Sequence, residues 1–150
     1  MAFILNKEET LKVIFKNMRK EFNENPAWSI YNLSIERYDI NTNTFISIIT
    51  FENRTISQED LKEFIAGINK ALATNSNFHF IPFMEPDFEM TIKKAESDSF
   101  QFNINIDLSG WLSDKKHVYG NNFIAFQFKV KKETLINFQN ELSEEYQKIF

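Results

Sequence analysis

Residues 100–108, FQFNINIDL, alternate without a break: Phe100, Phe102, Ile104, Ile106 and Leu108 on one side, Gln101, Asn103, Asn105 and Asp107 on the other. A period of two over nine residues dictates a strand with one buried face and one wet face. Four more stretches carry the pattern. FIAFQFKV places Ile124, Phe126, Phe128 and Val130 together, and DFEMTIKK sets Phe88, Met90 and Ile92 against Glu89, Thr91 and Lys93. Upstream, YNLSIERYDI and TFISIITFE flank NTN, whose asparagines tolerate the left-handed backbone of a tight turn. That predicts a hairpin over about residues 29–52.

A helical period appears twice. In ISQEDLKEFIAGINKALA, Leu61, Phe64, Ile65, Ile68 and Leu72 form one stripe, and in ETLINFQNELSEEYQKIF, Leu135, Phe138, Leu142, Tyr146 and Ile149 do the same. Ser57 and Asp60 have the spacing of a capping box, and Ile56 with Leu61 fits a hydrophobic staple. Helices are expected over about residues 58–73 and 133–148. Residues 8–22 suit either state: Leu11, Phe15, Met18 and Phe22 make a helical stripe, while Leu11, Val13 and Phe15 alternate. Propensity there leans to helix. Strands mostly follow strands through short connections, so pairing is antiparallel and the class is α+β. The expectation is a mainly antiparallel sheet of about six or seven strands with two packed amphipathic helices. With no repeat or linker, residues 1–150 are read as a single domain.

Composition narrows the function classes. Seventeen phenylalanines demand a large core or an apolar binding surface. Three glycines leave no phosphate-cradling loop, which removes the common nucleotide-binding devices. The absence of cysteine removes disulfides, thiolate zinc sites and a cysteine nucleophile, and suits a reducing compartment. A net charge of −4 with scattered lysines argues against nucleic acid and suits a basic partner. The apolar run Phe3–Leu5 is too short for a signal or a membrane span, so a soluble, cytoplasmic chain is expected.

Three places carry candidate chemistry. In FHFIPFMEPDFEM, residues 78–90, His79 stands near Glu85, Asp87 and Glu89. If the histidine came within hydrogen-bond reach of a carboxylate, acid–base work would be open to it. The competing reading has core rings on two strands, prolines at the corner and solvated carboxylates along the edge. No HxH, HxxxH or HExxH spacing supports a metal, and no motif supports a cofactor or a GxSxG nucleophile. The second place is residues 109–122, where Trp111, Asp114 and Tyr119 are candidate partner-contact residues beside His117. Alternatively, Trp111 plugs the edge of the core. Third is the polar face of Gln101, Asn103, Asn105 and Asp107, with Glu89 and Thr91 beside it. It can dock a partner by hydrogen bonding or simply stay wet.

The stretch FHFIPFMEPDFEM resembles the central signature of the WapI-type immunity proteins, small bacterial antidotes to wall-associated toxins delivered by contact. EDLKEFIAGINKAL resembles the helix that precedes that signature. Glu85-Pro86 resembles its Glu-Pro step, leading into an alternating strand. FQFNINIDL and FIAFQFKVKKETLINFQNELSEEY resemble the later strands and the closing helix, and NPAWSIYNLSIE the strand that starts near a tryptophan, here Trp28. The resemblance covers about residues 25–150; the first 24 depart from it, and the loop around Trp111 is longer and carries DKK. The family's opening strand would read TLKVIFKN, which tips residues 8–22 toward β. The resemblance implies a binding protein without catalysis that occludes a cognate toxin domain, with Glu85, Asp87 and Glu89 as candidate carboxylate contacts. A stand-alone interaction or ligand-binding module is the alternative, and a Phe-lined cavity of about 300 Å³ or more would favour it.

Overall fold

A computed structural model describes residues 1–21, 27–83, 88–108 and 123–150. Among these residues the chain forms eight strands and two helices, all pairing antiparallel. The α+β class is as expected; the single sheet of six or seven strands is not. There are two four-stranded sheets, β1-β2-β3-β4 and β5-β6-β7-β8, each in chain order.

The first sheet holds β1 (Ala2–Leu5), β2 (Leu11–Lys20), β3 (Trp28–Asp39) and β4 (Thr44–Ser57). β2 settles the ambiguous segment as strand. Phe15 pairs with Ala2 on one side and Leu33 on the other, so ladder bonds and burial on both sides outweigh a mild helix propensity. The predicted hairpin is β3–β4. Asn43 takes φ 55°, and Asp39 accepts from the backbone N–H of Asn41 and the Thr42 hydroxyl, closing the turn.

Helix α1 (Gln58–Thr74) follows and is capped as its sequence predicts. Ser57 Oγ accepts the Asp60 N–H at 3.0 Å and donates to Asp60 Oδ2 at 2.9 Å. The second Asp60 oxygen accepts the Phe83 N–H at 3.0 Å, tying the helix start to the chain beyond β5. The helix ends at Asn75, left-handed at φ 52°.

The second sheet holds β5 (Phe78–Phe80), β6 (Phe88–Glu96), β7 (Ser99–Asp107) and β8 (Phe123–Lys131), and α2 (Lys132–Ile149) closes the chain. One cluster of buried side chains draws on both sheets and both helices. At its centre the Phe15, Tyr31, Phe64, Phe80, Phe88 and Phe138 rings meet at centroid separations of 4.7–6.4 Å. Pro82 is buried just past β5, while Phe83 is 87% exposed.

Candidate partner-binding site

The outer face of the second sheet carries Glu89, its neighbour His79 and the polar row of β7. Phe88, Met90 and Ile92 are fully buried, so alternation puts Glu89, Thr91 and Lys93 on the opposite, wet face of β6. Register aligns Glu89 with Asn105, Thr91 with Asn103 and Lys93 with Gln101 across β7. β8 extends the rows with Ala125, Gln127 and Lys129. The anticipated polar face therefore exists, except that Asp107 is buried at its end.

His79 and Glu89 meet across β5 and β6. His79 pairs with Thr91, which makes Glu89 its diagonal neighbour. His79 Nε2 lies 2.5 Å from Glu89 Oε1. Because an ionised carboxylate only accepts, Nε2 carries the proton in this arrangement. Asn105 Nδ2 donates to the other carboxylate oxygen at 3.2 Å. The hydrogen bond from Asn105, then that from His79, holds the Glu89 carboxyl below its ordinary range, against partial burial that pushes it up. Two donors thus fix a charged carboxylate that is half-buried but open at the surface. At the far end of the face, Lys129 grips Glu96 at 2.6 Å, so the chain itself already occupies that cation.

Glu89 is the predicted contact residue that falls among the described residues. Glu85, Asp87, Trp111, Asp114 and Tyr119 lie outside them, as does His117. Phe80, Phe88, Asp107 and Phe123 stand at one end of the second sheet. Glu89 and Asn105 sit at that end. Asn105 is the member of the site that sequence reasoning did not single out by itself; its signal was parity with Asp107 and Asn103 on one strand face.

The arrangement suits recognition of a cation. A fixed carboxylate flanked by carboxamides offers acceptors to an arginine or lysine arriving from outside. Among the described residues no group of three or more His, Asp or Glu can hold a metal ion, and no helix is long and apolar enough to cross a membrane. Among the described residues, grooves of about 290–420 Å³ lie along the helices, lined by residues such as Lys62, Ile65 and Tyr146, or Phe3, Leu5 and Asn137, or Asp98, Lys131 and Ile136. Their linings do not include the buried phenylalanines of the core.

Two packed antiparallel sheets and two helices enclose one core, and a carboxylate is fixed on the outer polar face of the second sheet. The chain matches the family model described as Immunity protein WapI-like family over residues 4–149, and it belongs to that family. The match reaches back through β2 and into β1, beyond the residue 25 at which the sequence resemblance began. Comparison with curated proteins gives no match.

Proposed function

We propose that this chain is a non-catalytic immunity protein that binds one cognate bacterial toxin domain in the cytoplasm and blocks its active site. The observation that carries the proposal is the family match over nearly the whole chain. We further propose that Glu89 contacts the toxin, joined by Glu85, Asp87, Trp111, Asp114 and Tyr119. The ionised Glu89 carboxylate and the net charge of −4 support a basic partner surface, for which charge complementarity quickens encounter. A toxin that cleaves a phosphate backbone carries such a surface where its substrate binds.

The decisive experiment is co-purification with a toxin domain sought among the neighbouring genes, followed by titration of the toxin's activity. A 1:1 complex at about 10 µM or tighter is expected, with Glu89→Gln weakening it by about tenfold. Inhibition should end at one equivalent, as stoichiometric occlusion requires. No complex at that concentration overturns the proposal. Complete inhibition at a small fraction of an equivalent overturns its non-catalytic part, because only turnover would produce it.

A further inference from the structure

Each sheet ends in two edge strands, and three of these four edges are protected. β1 has four residues, and its Phe3 N–H donates to Glu141 Oε2 at 2.9 Å. β5 has three residues. β8 carries Lys129 and Lys131, and the Lys129 carbonyl accepts the Lys7 N–H at 2.7 Å. Short strands, lysines and covering groups are the usual means of keeping an edge from pairing.

Among the described residues β4 has none of these, although a bulge interrupts it at Ile48. It runs 14 residues and is hydrogen-bonded in its sheet to β3 alone. Residues 40–51, INTNTFISIITF, contain no charge, proline or glycine. Ile48 is 47% exposed and Ile40, beside the turn, 84%. An uncharged β-branched edge strand is a template for another strand.

The strand's own sequence identifies that other strand. Read outward from Ser47, it is nearly the same in both directions: Ile46 against Ile48, Phe45 against Ile49, Thr44 against Thr50. An antiparallel strand paired with its own copy about a two-fold axis sets those residues opposite one another. The products are Ile–Ile, aromatic–β-branched and Thr–Thr pairs, all of which stabilise cross-strand neighbours.

We propose that β4 is a homodimerisation edge: a second copy of this chain adds its β4 antiparallel about a two-fold axis at Ser47, fusing two four-stranded sheets into one of eight. Two-fold pairing consumes both edges, so assembly stops at the dimer. The bulge at Ile48, an extra residue between the Glu36–Ser47 and Ile35–Ile49 pairs, adds twist within the paired stretch. That makes the contact short and weak, in the class of small transient interfaces.

Sedimentation equilibrium from about 5 to about 500 µM tests the proposal, with a dissociation constant expected at about 10–100 µM. Ser47→Lys sets two ammoniums at the axis and should leave a folded monomer; Ser47→Asp should do the same. Glu36, opposite Ser47 on β3, is already paired with Lys12 at 3.3 Å and Lys16 at 3.6 Å, so either charge can be accommodated there. An equimolar mixture of the two variants should recover the dimer. Ile48→Lys, at an exposed position, should also weaken it by about tenfold or more while melting as the wild type does. A wild type that stays monomeric to about 500 µM overturns the proposal. Dimerisation of Ser47→Lys alone, or folded Lys and Asp variants that fail to associate when mixed, overturns the Ser47 axis.

Discussion

Asn105 and His79 both keep Glu89 ionised, and each contribution can be measured. Asn105→Ala and His79→Ala should each raise the Glu89 pKa toward its ordinary value of 4.5 in a carbon-detected NMR titration of the side-chain carboxyl. The sign for stability follows from a folded pKa that is depressed. The contribution is complete above the unfolded value of about 4.5 and is lost as pH falls through the lower folded value. Removing Asn105 should shrink that acid-side loss; a Glu89 pKa unchanged in Asn105→Ala would contradict the assignment. Gly67 offers a second residue-scale test. Alanine is a better helix former than glycine by about 1 kcal/mol, yet a Cβ at Gly67 would lie 2.0 Å from Cε2 of the Phe78 ring. Gly67→Ala should therefore destabilise by about 1–3 kcal/mol, from overpacking, with Phe78→Leu added to recover part of the loss in urea melts. At this scale the sequence was half legible. Alternation placed Glu89 on the wet face, because Phe88 and Met90 had to be buried. It could not show that His79 and Asn105 reach the same carboxylate, since that depends on the registers of β5 and β7, which no single strand records.

Among the elements, α1 is specified at its start by side chains that also hold a neighbouring segment. Ser57→Ala removes the acceptor of the Asp60 N–H and should cost about 1 kcal/mol. Asp60 is 5% exposed and bonds both Ser57 and the Phe83 N–H, so Asp60→Ala should cost more, about 1–3 kcal/mol. Asp60→Asn, which keeps an acceptor oxygen, should fall between wild type and Asp60→Ala in chemical denaturation. Equal losses for Ser57→Ala and Asp60→Ala would mean the link to Phe83 contributes nothing. Both helices, β6, β7 and β8 were legible because each repeats its period over enough residues to be distinctive. β1 was not, because AFIL is four apolar residues with no alternation to read. The far half of β4 was hidden for a different reason. Between the Leu33–Phe51 and Tyr31–Arg54 pairs the register shifts, and Asn53 takes φ 53°. An inserted residue reverses the side-chain parity there, so a period-two pattern stops while the strand continues.

For the molecule as a whole, the excess of phenylalanine has a structural answer. Phe15, Phe51, Phe64, Phe80, Phe88, Phe100, Phe102, Phe128 and Phe138 are buried in one cluster, which the sequence could state only as a choice between core and binding surface. The division into two sheets was not legible, since alternation reports which face a residue takes but not which sheet its strand joins. We propose that residues 1–150 fold as one domain, because the two sheets share their central rings. Phe88 of β6 stands 5.6 Å from Phe15 of β2 and 6.4 Å from Tyr31 of β3, and 6.1 Å from Phe64 of α1. Phe88→Ala should remove about 3–5 kcal/mol, a large share of the 5–15 kcal/mol that typically holds a domain folded. Its effect should cross the sheet boundary. Amide exchange in β3 should accelerate as much as exchange in β7, and unfolding followed by Trp28 fluorescence in a Trp111→Phe background should coincide with unfolding followed by far-UV circular dichroism. If β3 kept its protection while β6 and β7 lost theirs, the sheets would be separate cooperative units. The shared rings make the opposite result the expected one: neither sheet can lose Phe88 without exposing the apolar face of the other.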